Sequence, residues 1–148
     1  MARAYKKTYL NGAMRNLAVM MDCGVRKYGF MIDDFYDRFL SCEVSHQFAK
    51  GNPRYLVGMS GAELADEVVL ATGGTVLNEN DGTYMVGPEY WTGWVLAYYN
   101  WFSRRSFSFM NRKGLSVNKI MGMYYPLHEA DLSKFADIAD SIIAKSEL

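Results

Sequence analysis

Apolar residues return at helical intervals through most of this chain. Across positions 5–28, Tyr9, Ala13, Leu17, Met20 or Met21, and Gly24 recur one turn apart, with Leu10 and Met14 widening the stripe. That period predicts a helix with one buried face, stopped at Gly29. Asp33 can cap a second helix over 34–44 that buries Phe35, Phe39 and Leu40. Residues 45–50 can add a turn before Gly51-Asn52-Pro53 breaks the pattern. Tyr55-Leu56-Val57 is a short apolar linker, helical or extended. Ser60-Gly61-Ala62-Glu63 has capping-box spacing and opens a helix through Leu64, Val68 and Ala71, closed by Gly73-Gly74. Ser106 or Ser108 can start a short helix ending at Gly114. Ser116 can cap another over 117–123, which Tyr124-Tyr125-Pro126 stops. The last helix runs from Glu129 or Ala130 to Ala144, burying Leu132, Phe135, Ile138 or Ala139, and Ile142. Asp131 in its first turn and Lys145 in its last suit the helix dipole.

One segment departs from this one-sided pattern. Gly87-Pro88-Glu89-Tyr90-Trp91-Thr92-Gly93-Trp94-Val95-Leu96-Ala97-Tyr98-Tyr99-Asn100-Trp101-Phe102 holds all three tryptophans. Pro88 fits the first helical position and Gly87 the cap before it. On a helix Trp91, Trp94, Tyr98 and Trp101 share a broad face, while Tyr90, Leu96, Tyr99 and Phe102 point elsewhere. Apolar residues on every side predict a central helix wrapped by its neighbours, with Trp94 in the core. The tyrosine hydroxyls and indole N–H groups still need partners. The segment therefore builds either a dense core or an aromatic-walled pocket.

Only one stretch reads as β. Thr75-Val76-Leu77 and Thr83-Tyr84-Met85-Val86 flank Asn78-Glu79-Asn80-Asp81-Gly82, and Asp-Gly between β-prone runs suggests a hairpin, or an ordered loop. The resulting expectation is a mainly α fold. It is a compact bundle of six or seven helices around a central aromatic helix, with at most one small β-hairpin, in a single helical domain over 1–148.

Composition narrows the class. Half of the 148 residues are hydrophobic, which is globular rather than disordered. Apolar runs such as Val68-Val69-Leu70-Ala71 stop far short of the ~20 residues of a membrane span. The basic start (Arg3, Lys6, Lys7, Arg15) resembles a presequence, but Asn11, Arg15 and Asn16 interrupt any signal core. The Lys145-Ser146-Glu147-Leu148 ending resembles a retention tail, which means little without a signal peptide. A cytoplasmic location is therefore expected. The net charge is zero, so nothing global favours nucleic acid or membrane as partner. Charge is nonetheless uneven. Residues 1–30 set Arg3, Lys6, Lys7, Arg15, Arg26 and Lys27 against Asp22 alone. Residues 128–148 set Glu129, Asp131, Asp137, Asp140 and Glu147 against Lys134 and Lys145. The two ends are expected to lie together and complement each other, with a basic partner-binding face as the alternative. Cys23 and Cys42, the only cysteines, fall within predicted helices and read as buried thiols.

Candidate chemistry is sparse. His128-Glu129-Ala130-Asp131 places an imidazole and two carboxylates at a helix start, a set that could hold a metal or move protons. It lacks the one-turn spacing of zinc-protease ligands, and a capping interaction between His128 and Asp131 is the favoured reading. Glu89 suits a helix N-terminus. If it shares a cleft with Trp91 and Trp94, it can orient a ligand's hydroxyl or amine. His46 reads as a helix-edge residue. Gly58-Met59-Ser60-Gly61 lacks the partners of a phosphate loop. Arg104, Arg105, Arg112 and Lys113 near Phe107 and Phe109 read as a solvated surface rather than a nucleic-acid site. No cofactor, metal set or catalytic residue is expected. The candidate ligand-binding residues are Glu89, Tyr90, Trp91, Trp94, Tyr98, His128, Glu129 and Asp131.

Three segments carry a resemblance: Gly51-Asn52-Pro53-Arg54-Tyr55 with Gly58-Met59-Ser60-Gly61-Ala62-Glu63-Leu64; Gly87-Pro88-Glu89-Tyr90-Trp91-Thr92-Gly93-Trp94; and Leu127-His128-Glu129-Ala130-Asp131-Leu132-Ser133-Lys134-Phe135. Together they resemble a family of small uncharacterised bacterial proteins often encoded beside proteins similar to ADP-ribosyltransferases, in toxin–antitoxin-like neighbourhoods. The resemblance carries over no catalytic residue. It implies a bacterial accessory protein that acts by binding a protein partner, antitoxin-like. The alternative is a small-ligand binder or enzyme, taking a nucleotide or ADP-ribose-like molecule in an aromatic-walled pocket.

Overall fold

The computed structural model describes residues 2–77 and 84–147. The fold is mainly helical, as expected, and its centre is a pair of helices. α1 (Leu10–Arg26) follows a 3-10 turn at Lys7–Tyr9 and lies beside α5 (Pro88–Ser103). The two run antiparallel. Ala4 N–H donates to Trp101 O near one end, and Met85 N–H donates to the Asp22 carboxylate near the other. Between these ends Gly93 lets the backbones touch. A Cβ there would stand 2.4 Å from Leu17 O and 2.7 Å from Ala18 Cα. On the other flank of α1, Gly61 does the same for α4 (Gly61–Ala71), where a Cβ would meet Val19 Cβ at 2.5 Å and Asn16 O at 2.6 Å.

The remaining helices wrap this layer. α2 (Ile32–Ser41) and α3 (Glu43–Ala49) cover one end, and a π-helical turn at Arg54–Gly58 leads to α4. The Asn16 side-chain amide fixes that turn by donating to Leu56 O and Met59 O, both at 3.0 Å. α6 (Phe107–Arg112) packs on α3, and α7 (Val117–Met121), α8 (Tyr124–Leu127) and α9 (Leu132–Ser146) close the other side of α5. Tyr99 of α5 donates its hydroxyl to Asp140 of α9. Leu17, Met20, Met21, Phe35, Phe39, Phe48, Leu64, Leu96 and Phe107 are buried together in the core.

The serine signals hold. Ser60 and Glu63 form the expected capping box, and Ser106 and Ser116 accept from the backbone N–H of Phe109 and Lys119. Other boundaries move, and the elements are shorter and more numerous than six or seven. The expected helix over 34–44 starts earlier, with Met31 at its cap, and breaks at Cys42, whose backbone is extended. The break lets Phe39 of α2 and Phe48 of α3 both reach Phe107, at ring-centroid distances of 5.3 and 5.8 Å. Cys42 thus sits at a junction rather than within a helix. Tyr124-Tyr125-Pro126 forms a helical turn instead of ending one, because Pro126 stands in a first turn, where its missing N–H needs no partner. α9 begins at Leu132, so Asp131 is the residue before the helix and not part of its first turn.

The expected hairpin, or ordered loop, spans residues 75–86. Residues 78–83, with the Asp81-Gly82 turn, lie outside the described residues. The arms 75–77 and 84–86 are irregular, and no strand occurs among the described residues. Each arm bonds to α1 or the loop after it rather than to the other: Leu77 N–H donates to the Tyr28 hydroxyl, and Met85 N–H to Asp22. The expected pairing of the terminal charges is not seen among the described residues. α9 packs on α5, and no ion pair joins it to α1 among the described residues. No helix there is long and apolar enough to cross a membrane.

Candidate functional site

The aromatic helix sorts its rings into two environments. Trp91 is 8% exposed, its ring set edge-to-face against Tyr124 and Phe135, both with centroids at 5.9 Å. Trp101 is buried under the N-terminal segment and donates its indole N–H to Tyr5 O at 3.0 Å. These two are core. Tyr90, Trp94, Tyr98 and Phe102 are all partly exposed. They follow one another at intervals of four, which on a helix makes a continuous row. This corrects the expected grouping. Trp94 belongs to the row and not to the core, and Tyr90 and Phe102 belong with it.

Within the row the rings stack on their neighbours. Tyr90 lies 6.2 Å from Trp94 at 21°, and Tyr98 lies 5.8 Å from Phe102 at 16°. Tyr84, from outside the helix, extends the row by stacking on Tyr90 at 5.5 Å and 15°. At the other end Arg3 donates to Phe102 O at 2.6 Å and places its guanidinium 4.2 Å over the Phe102 ring. Burial raises the hydroxyl pKa of Tyr90, Tyr84 adds to the shift, and Arg15 opposes it. Burial also raises that of Tyr98, which stands between Arg3, lowering it, and Asp131, raising it. Beside Tyr84, Met85 and Val86 are 55% and 68% exposed. The result is an apolar strip from residues 84–86 along α5, with basic side chains on the α1 side.

Of the other candidates Asp131 stands near Tyr98, whereas Glu89 and His128 keep separate surroundings. Glu89 is near Asp22 of α1, on the side of α5 away from Trp91, and raises the Asp22 pKa. His128 ends α8. Its Nδ1 lies 2.7 Å from Tyr124 O, and its ring stacks on Tyr124 at 4.2 Å. Its Nε2 is 3.8 Å from exposed Glu129. Asp131 accepts from the Ser133 hydroxyl instead of from His128, so the expected His128–Asp131 interaction is replaced by two separate local ones. Among the described residues no group of three or more His, Cys, Asp or Glu is placed to hold a metal ion. Burial pushes the Cys23 thiol up to about 11 and also raises Cys42, which disfavours the nucleophilic thiolate in both.

Two features escaped the sequence. Asp22 is a buried carboxylate, 3% exposed, that accepts the Met85 N–H at 3.2 Å with Arg26 Nε 3.5 Å away. Burial holds its pKa above the ordinary carboxylate range. It tethers the 84–86 segment to α1. Its only sequence signal was being the lone acid among the basic residues of α1. The second is a groove at the far end of α5, lined by His46, Lys50 and Arg104 among others. Its residues are scattered along the chain, so no spacing rule could join them. The chain matches no protein-family model, no curated protein and no solved structure.

Proposed function

We propose that the protein works without catalysis, as a binding partner of another protein, through the strip formed by Tyr84, Met85, Val86, Tyr90 and Trp94. The observation that carries this reading is the exposure of three consecutive apolar residues, at 45%, 55% and 68%, continuous with the row on α5. Contiguous apolar surface next to charged side chains is the usual mark of a protein interface. The stacking favours a protein over a nucleotide. Tyr90 with Trp94 and Tyr98 with Phe102 already cover faces of one another, which reduces the ring surface open to a base. Arg15 and Arg26 beside the strip suit a partner with acidic residues around an apolar centre. This fits a bacterial accessory protein that occupies a neighbouring protein as an antitoxin does.

The test is capture from the source cell with the wild type and with Met85→Asp in parallel, followed by titration of the captured protein in purified form. Met85 is largely exposed, so the variant should melt with the wild type. The expected result is one protein bound stoichiometrically by the wild type, with affinity reduced at least tenfold for the variant. Equal affinity for both, or no protein bound at micromolar concentration, overturns the reading.

A further inference from the structure

Where α3 and α5 end and α6 begins, a groove of about 340 Å³ opens against the N-terminal segment, lined by Ala4, His46, Ala49, Lys50, Arg104 and Ser106. This is at the small end of ligand-site volumes. Every ionisable side chain in that lining is basic, and of these His46 already faces the Glu43 carboxylate at 3.6 Å. Neither Lys50 nor Arg104 forms an ion pair among the described residues. Two carbonyls near the groove, Ala49 O at the end of α3 and Arg105 O in the linker between α5 and α6, would repel an anion if left free. The buried Asn100 amide takes up carbonyls at this junction by donating to Ala49 O at 3.4 Å and Arg105 O at 2.9 Å. Ser106 Oγ accepts from Phe109 N–H, which leaves its own O–H to donate.

Arg104 supplies the second line of argument. Its φ is +64°, and it is the sole non-glycine at positive φ among the described residues. The four other such positions, Gly29, Gly51, Gly73 and Gly114, are glycines. A side chain in this region is strained, and a glycine after α5 would end the helix more cheaply. The neighbouring Arg105 is engaged elsewhere, 5.0 Å over the Phe109 ring, so Arg104 is the arginine of this junction that faces the groove. An arginine kept where glycine is favoured, on the wall of a basic groove, indicates a task for its guanidinium.

We propose that this groove binds the phosphate group of a small metabolite, gripped by the Arg104 fork, the Lys50 ammonium and the Ser106 hydroxyl. Arginine and lysine divide the work in the usual way, a planar bidentate donor beside a mobile point charge. The site lies at the opposite end of α5 from the apolar strip and does not depend on the protein-binding reading.

The probe is pyrophosphate, titrated at constant ionic strength and followed by amide chemical shifts, with succinate as a carboxylate control. The expected result is saturable binding, with shifts confined to Ala4, His46, Lys50, Arg104 and Ser106, and at least tenfold weaker binding of succinate. Arg104→Gly should melt no lower than the wild type, because it relieves the left-handed strain, yet lose at least tenfold in affinity. Lys50→Ala should lose binding with an unchanged melting temperature. Linear, unsaturated shifts spread over all basic residues would overturn the proposal. So would succinate binding as tightly as pyrophosphate, or Arg104→Gly with wild-type affinity.

Discussion

The two sides of α5 use the same residue types for opposite ends. On the inner side, Gly93 brings α1 to backbone contact, and the polar groups of Thr92, Tyr99 and Trp101 have partners: Thr92 donates to Pro88 O, Tyr99 to Asp140 and Trp101 to Tyr5 O. On the outer side Tyr90 stacks on Trp94 and Tyr98 on Phe102, and all four stay partly exposed. Aromatic content alone therefore does not distinguish core from surface. What distinguishes them is whether another part of the chain closes over the rings: α8 and α9 over Trp91, α9 over Tyr99, and the N-terminal segment over Trp101.

The sharpest way to break this contrast is a pair of truncations. Trp91→Ala should cost about 3–5 kcal/mol, since it removes a buried ring and leaves a cavity. Trp94→Ala should cost roughly 1 kcal/mol, the loss of partial burial alone. Urea unfolding measures both, and equal losses would place Trp94 back in the core. Next comes Gly93→Ala. Its methyl would meet the Leu17 carbonyl and Ala18 Cα, neither of which can rotate away. The expected loss is about 3 kcal/mol, the upper part of the range for overpacking. A melting temperature unchanged from the wild type would mean that α1 and α5 sit further apart than described.

The smallest effect is on pH. Asp22 has a folded-state pKa above its unfolded value of about 3.9. As pH rises, the unfolded chain ionises this group first, so stability falls between the unfolded and the raised folded pKa. Arg26 opposes the shift and Glu89 adds to it. Asp22→Asn should flatten that part of the stability–pH profile while keeping an acceptor for Met85 N–H. A profile identical to the wild type would show that Asp22 does not titrate above the ordinary range.

Much of the fold could be read along the chain because its signals are local. Ser60 with Glu63, Gly87 with Pro88, and the α1 stripe each act within a few residues. The boundaries that moved depend on distant partners. α2 breaks at Cys42 because Phe107 needs both Phe39 and Phe48. The site was legible only in part. The spacing of four that joins Tyr90, Trp94, Tyr98 and Phe102 was present in the sequence, but which face the neighbours would cover was not. Glu89 and Trp91 are two residues apart, and that interval on a helix turns them to different sides.

The union of α1 with α5 also sets an order of events during synthesis. Trp101 and Tyr5 bond across 96 residues, and Met85 and Asp22 across 63. Until Ser103 has left the ribosome, α1 has no complete α5 to pack against. Translation at about 5–20 residues per second makes that delay several seconds. During it the Met14, Met20 and Met21 face is open to chaperones or to a second nascent chain, and contacts this remote make folding slower than expected for a helical protein of this size.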